Sequence, residues 1–337
     1  MLKLKSGSVV IASSACDGVG HLGLITRRKA PPFKYWQKGL RRSMTAWKHY
    51  YIARTIQDAL QALAAGQAAA CPVAGGTDLL LDLQQGRQNP VDTLVDLTHI
   101  PDLTVLETRS DELFIGAAAP LNKIVASPMV RQHARALSEA CGLIGGPQVR
   151  NTATLGGNVA HALPAGDGTI ALLALGAQAE IASLDGHRRA AMSDLFLGPG
   201  RSALDKNREI LLGFYLPVID VQQSSAHRRV MRPQGVAIAI LNMAVWVSRQ
   251  KHSITDIRIA LGPAGPVPMR ARQTEAILQG QTPSVEILEQ ATRVLLSEAT
   301  FRTSQHRATA EYRRHLAGVL LRETFETAWG RTLGEDL

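Results

Sequence analysis

Residues 144–167 read IGGPQVRNTATLGGNVAHALPAGD, and the reading of the whole chain turns on them. At their centre Gly156 and Gly157 form a pair flanked by Thr152, Thr154 and Asn158. Paired glycines tolerate positive φ and carry no Cβ, so successive backbone N–H groups can converge on an anion. Upstream by about 80 residues a second such stretch occurs, Val73-Ala74-Gly75-Gly76-Thr77-Asp78-Leu79. Neither contains the lysine of a P-loop, so a magnesium-bound triphosphate is poorly provided for. A pyrophosphate held by neutral N–H donors, with Thr77 and Thr154 as hydroxyl donors, fits both better. Two loops this far apart suit a long cofactor lying between two lobes. Either loop taken alone is more often an ordinary turn or bulge.

The flanking sequence alternates short helices and strands. TIQDALQALAAG (55–66) predicts a helix capped by Thr55 and stopped by Gly66. VDTLVDL (91–97) and ELFIGAAA (112–119) predict strands, HARALSEACGLIG (133–145) a helix, and ALLALGAQAEIAS (171–183) a helix running into a strand. EILLGFYLP (209–217) is a further strand. Beyond it, RVMRPQGVAIAILNMAVWV (229–247) and ITDIRIAL (254–261) read as long strands, and 273–328 as helical throughout. The polar stretch around 218–226 is the expected boundary.

Of the 337 residues 45% are hydrophobic and 19% charged, which excludes disordered, collagen-like and coiled-coil compositions. No apolar run is long enough to span a membrane. Aromatics at 4% are too few for the stacking platforms of single-stranded nucleic-acid binders. The net charge of +9 is local: residues 1–43 hold nine Lys and Arg against Asp17, which leaves +1 for the rest. A near-neutral body lacks the electrostatic footprint of duplex binding, so neither nucleic acid nor membrane is expected as a partner. Within the basic arm, Gly18, Gly20 and Gly23 match G-x-G-x-x-G but lack the strand, helix and acidic residue that motif needs. Lys3 and Lys5 before Ser13-Ser14-Ala15-Cys16 could form a lipoprotein-type signal, although the apolar stretch is short. The favoured reading makes 1–43 an extension, disordered or mis-assigned, with Met44 as the start. Cys16, Cys71 and Cys141 are too scattered for a disulfide framework or an iron–sulfur or zinc cage, so no metal site and a cytoplasmic setting are expected.

With AGGTDLL (74–80), the long middle motif, EILLGFYLP, RPQGVAIAILNMA (232–244) and RIALGPAGPVPMRARQTEAIL (258–278) in this order, the chain resembles the FAD-binding medium subunits of the molybdenum hydroxylases. That family includes xanthine and carbon monoxide dehydrogenases, and the resemblance covers about 46–328. It implies an α+β fold: a two-lobed FAD-binding domain of the PCMH/vanillyl-alcohol-oxidase type over 44–220, with lobes near 44–98 and 99–220. A smaller C-terminal domain of sheet plus helices over 226–328 follows, as in the CO dehydrogenase flavoprotein.

The resemblance also assigns roles. Val73, Ala74, Gly75, Gly76, Thr77, Asp78 and Leu79 would wrap the FAD pyrophosphate, joined by Ala153, Thr154, Gly156, Gly157 and Asn158. Asp167 falls where the family holds the adenosine sugar, and Ile144 and Leu212 border the flavin ring or adenine. His161 either contacts FAD or caps a turn. Arg150 is read as a structural ion pair ahead of a supporting role, Cys141 as core, and Cys71 as core with a redox role beside the first loop as the alternative. No catalytic acid–base dyad or nucleophile is expected, because the flavin carries the redox chemistry. The implied partners are a 2Fe-2S small subunit and a molybdopterin large subunit in a heterotrimer, with NAD or another acceptor taking electrons from FAD. Two rivals stand beside this: a self-contained flavin oxidase, for which the region after 226 is too small, and a non-catalytic assembly subunit that keeps the fold without FAD. Gly76→Val and Gly157→Val are both expected to abolish FAD binding.

Overall fold

The structure, a computed structural model, describes residues 46–66, 69–232 and 238–335. The basic arm with its glycine motif, Cys16 and Met44, and residues 233–237 of the RPQGVAIAILNMA motif, lie outside the described residues.

The first layer contains β1 (His49–Ile52), α1 (Ile56–Gly66), β2 (Ala70–Val73), α2 (Leu79–Gln84) and β3 (Thr93–Asp96). Its strands form a parallel sheet in the order β1-β3-β2. The start of α1 is as its sequence predicts: Thr55 Oγ1 accepts from the Asp58 N–H at 3.1 Å. Ala59, Leu60 and Leu63 are its buried face.

A second group runs through β4 (Leu106–Arg109), β5 (Glu112–Gly116), α3 (Leu121–Ala126), α4 (Pro128–His133), α5 (Arg135–Leu143), α6 (Pro147–Arg150), α7 (Leu155–Ala160) and α8 (Asp167–Ala174). It continues with β6 (Gln178–Ser183), β7 (Gly186–Ala191), the short pair β8 (Phe196–Gly198) and β9 (Arg201–Ser202), and β10 (Ile210–Pro217). Five of these strands make an antiparallel sheet, β4-β5-β10-β6-β7. Every residue of α8, DGTIALLA, is buried, as an all-round apolar helix requires. The lobes meet where Leu60, Leu63, Val95 and Ile100 pack against Ala118, Ala182, Ile210 and Leu212.

The third group comprises β11 (Gln223–Val230), β12 (Leu241–Gln250), β13 (Ser253–Gly262), β14 (Met269–Arg270), α9 (Arg272–Leu278), α10 (Val285–Glu298) and α11 (Ala310–Thr332). Its four strands pair antiparallel in sequence order. Alternation along β12 explains its near-continuous apolar sequence. Leu241, Met243, Val245 and Val247 join the core beneath α9, α10 and α11, while Ala244 and Trp246 join the core of the FAD-binding part. The strand is buried on both faces because the sheet is covered on both.

Three expectations need correction here. The stretch 229–247 is not one strand: β11 ends at Val230 and β12 begins at Leu241. The polar boundary ends earlier than its composition implies, since Ser224, Ser225 and His227 are buried within β11. Helix does not run throughout 273–328, because 279–284 and 299–309 connect three separate helices.

Candidate functional site

The first glycine loop leaves β2 at the C-terminal end of the parallel sheet and enters α2. There it meets the second. A Cβ added at Gly75 would lie 2.3 Å from the Thr152 carbonyl oxygen and 2.8 Å from Ala153 Cα, so the two loops are in backbone contact. Gly76 sits at φ +65°, the left-handed region that turns the chain over this contact. Among the described residues the N–H groups of Gly75, Gly76, Thr77 and Asp78 find no acceptor. Four consecutive unpaired donors on a turn are what an anion cradle needs. Thr77 and Asp78 are exposed, Ala74 and Leu79 half-buried, and Val73 is buried at the end of β2.

In the second loop the two glycine amides are engaged within the protein. The Gly156 N–H donates to the Ala117 carbonyl at 2.8 Å, and the Gly157 N–H to Thr154 Oγ1 at 3.1 Å. Thr154, 3% exposed, is thus the N-cap of α7, and these two amides are already satisfied. The loop contributes the surface formed by Thr152 and Ala153 and the Thr154 hydroxyl proton. Asn158 ties α7 to α8, its Oδ1 accepting from the Thr169 N–H at 3.2 Å. Among the described residues Arg150 forms no ion pair. Its Nη1 donates to the carbonyls of Ile144 (3.3 Å) and Gly145 (2.7 Å), and its Nε to Asn122 Oδ1 (3.1 Å), which fixes the turn before the loop.

Asp167 lies at the start of α8, 6% exposed, with both oxygens engaged inside the protein. Its Oδ2 is 2.8 Å from Arg229 Nη1 of β11, and its Oδ1 accepts from Asn242 Nδ2 of β12 at 2.8 Å. Burial pushes its carboxyl above the ordinary range, and the Arg229 charge pulls it back. Each oxygen makes one such bond, and the side chain joins the second glycine loop's support to the C-terminal sheet. Beside it, His227 Nε2 is 3.6 Å from Asp167 Oδ1, with both ring nitrogens buried and unpaired. Burial and the charges of Arg229 and Arg228 depress its pKa to about 3, so the ring is neutral. Arg229, His227 and Asn242 were not singled out from sequence. Their signal is the alternation of Ser225, His227 and Arg229 along β11, which puts polar side chains on the face meeting α5 and α8.

Of the remaining candidates, Ile144 packs half-buried on the main core, and Leu212, 4% exposed, belongs to the core between the lobes. His161 is half-buried at the C-cap of α7. Cys141 is fully buried, and Cys71 is buried with its thiol pKa raised, which disfavours the reactive thiolate. No group of three or more metal-ligating side chains occurs among the described residues.

Comparison with known proteins agrees with this geometry. Residues 42–219 match the FAD binding domain in molybdopterin dehydrogenase, and 226–328 the CO dehydrogenase flavoprotein C-terminal domain. The chain is 32% identical over 283 residues to the nicotine 6-hydroxylase medium subunit of Paenarthrobacter nicotinovorans, covering 84% of this chain and 98% of that one. It is 29% identical over 281 residues to a putative xanthine dehydrogenase FAD-binding subunit of Escherichia coli K12, covering 83% and 95%. Carbon monoxide dehydrogenase from Hydrogenophaga pseudoflava superposes with a TM-score of 0.80 at 27% identity, over 84% of this chain and 98% of that chain. With both of its domains matched in order, the chain belongs to the FAD-binding medium subunits of the molybdenum hydroxylase family, an oxidoreductase component whose cofactor is FAD.

Proposed function

We propose that the cradle of Gly75, Gly76, Thr77 and Asp78 holds the FAD pyrophosphate, and that the chain relays electrons within a three-subunit complex. The observation that carries this reading is the row of four unpaired N–H groups on a loop that touches the backbone of Thr152 and Ala153 at Gly75. Neutral donors hold a dianion without a fixed counter-charge, and the half-buried loop excludes part of the competing water. Bound FAD supplies the means to collect single electrons and release them in pairs. The protein's own task is to bind and orient it. Val73, Ala74 and Leu79 lead the chain into and out of the cradle. Thr154 has a hydroxyl proton to donate, since its oxygen already accepts from Gly157. Ile144, His161 and Leu212 remain candidates for the ring-system borders. Asp167, Arg229 and Asn242 hold the second loop in register with the C-terminal sheet.

In this reading a 2Fe-2S small subunit delivers electrons that a molybdopterin large subunit has taken from substrate, and NAD or another acceptor removes them. The substrate is then decided on another chain. Support comes from the relatives, which are medium chains or FAD-binding subunits of dehydrogenases and hydroxylases. No helix among the described residues is long and apolar enough to cross a membrane, and a cytoplasmic location is part of the proposal. The test is the visible spectrum of the purified chain, followed by acid release of the chromophore. Released FAD at about one per chain supports the reading. A colourless chain that takes up no added FAD overturns it in favour of an assembly subunit.

A further inference from the structure

The first turn of α11 carries a buried charge that the flavin site does not use. Arg313 is 2% exposed, and its Nε and Nη1 are sealed from solvent without a partner. Among the described residues its guanidinium makes no hydrogen bond or ion pair. Two other arginines of the same helix are paired: Arg331 binds Glu139 and the Ser225 carbonyl, and Arg314 binds the Leu296 carbonyl at 2.7 Å. Two further cations approach Arg313 from the segment 299–309. Arg302 and Arg307 are exposed, and their guanidinium groups have no partner among the described residues; their segment is tied to the start of α11, where the Ala310 N–H donates to Thr303 Oγ1 at 3.0 Å, and both charges add to burial in lowering the Arg313 pKa. Glu311, the nearest acid in sequence, is exposed and forms no ion pair among the described residues.

A guanidinium enclosed without a counter-charge, with two more arginines on the adjoining segment, costs the folded state unless an anion joins it. A monoanionic carboxylate leaves most of that charge uncompensated. A tetrahedral dianion matches it better and offers several oxygens to forked donors. We propose that Arg302, Arg307 and Arg313 form a binding site for a tetrahedral oxyanion, either free phosphate or the phosphoryl group of a larger ligand. The site belongs to the C-terminal domain and is built from residues separate from the glycine loops.

The experiment uses the full chain with flavin bound, so that the glycine loops are occupied, in chloride buffer of constant ionic strength. Inorganic phosphate is titrated while the thermal midpoint and the 31P linewidth are followed. The wild type is expected to show a saturable rise in midpoint. R302Q/R307Q should weaken phosphate binding at least tenfold while keeping its flavin. R313M should abolish the saturable response, yet in phosphate-free buffer its midpoint should equal or exceed that of the wild type, because the unpaired charge is gone. Titration with ADP separates the sources: tighter binding than phosphate, lost in R302Q/R307Q, assigns a phosphoryl ligand, and equal binding assigns free phosphate. A phosphate response that is unsaturable, or unchanged in both variants, overturns the proposal.

Discussion

Gly75 and Gly76 are adjacent yet do different work. The first lets two loops touch, since any Cβ would meet the Thr152 carbonyl oxygen at 2.3 Å, and the second supplies a positive φ. Gly75→Val should force the loops apart and Gly76→Val should strain the cradle, each weakening FAD binding by about tenfold or more, roughly 1.4 kcal/mol. Flavin-to-protein absorbance after gel filtration measures this. Gly157 is a milder case than its motif implies. A Cβ there meets the Thr154 hydroxyl oxygen at 3.1 Å, and the residue is exposed, so Gly157→Val should retain more flavin than Gly75→Val. Equal loss in both would remove the distinction drawn between the loops. Cys71, with burial raising its pKa, should resist iodoacetamide at pH 8 in the native chain and react on unfolding. Rapid native labelling would restore the redox reading of this thiol.

Strand β11 shows how one element can link two domains. Its Ser225 hydroxyl accepts from the Ala136 N–H at 3.0 Å, its His227 N–H donates to Glu139 Oε2 at 2.8 Å, and its Arg229 reaches Asp167. Glu139 is also bound by Arg331 of α11, so helices of both domains grip the same strand. His227 makes this junction pH-dependent. Its folded pKa of about 3 lies below the ordinary value of 6.5, so the unfolded chain binds the proton more readily. Its contribution is therefore complete above about pH 6.5 and is lost as pH falls toward 3, by up to about 1.4 kcal/mol per pH unit. Urea midpoints between pH 4 and 7 should fall with acid in the wild type and fall less steeply in His227→Leu. Parallel slopes would place the acid sensitivity elsewhere. Breaking the neighbouring pair with Asp167→Ala leaves Arg229 buried and unpaired, and should cost about 3–5 kcal/mol by the same assay.

The three sheets share their coverings. One face of the β12 sheet closes over α5 and α8, and the other carries α9, α10 and α11, so the C-terminal domain completes the core beneath the second glycine loop. Flavin binding should therefore depend on both domains. A chain ending at residue 220 is expected to lose FAD or precipitate, whereas residues 44–337 should keep the flavin stoichiometry of the full chain. Loss of flavin from 44–337 would give the basic arm a part in the site.

Much of this protein was legible in its residues before any packing was known. Thr55 and Gly66 bound α1 because capping and helix stopping are local, and β10 was visible because EILLGFYLP is a short β-prone run. The first glycine loop was recognisable for the same reason: the need for residues without a Cβ is met within a few positions. Tertiary structure alone decided which amides remain free. Gly156 spends its own on Ala117, some forty residues upstream, whereas that of Gly157 goes to the local cap Thr154. It likewise made Asp167 an ion-pair partner, because Arg229 and Asn242 arrive on strands more than 60 residues later. A motif states what its backbone can do, but the supply of free donors and acceptors depends on what long-range packing has already satisfied.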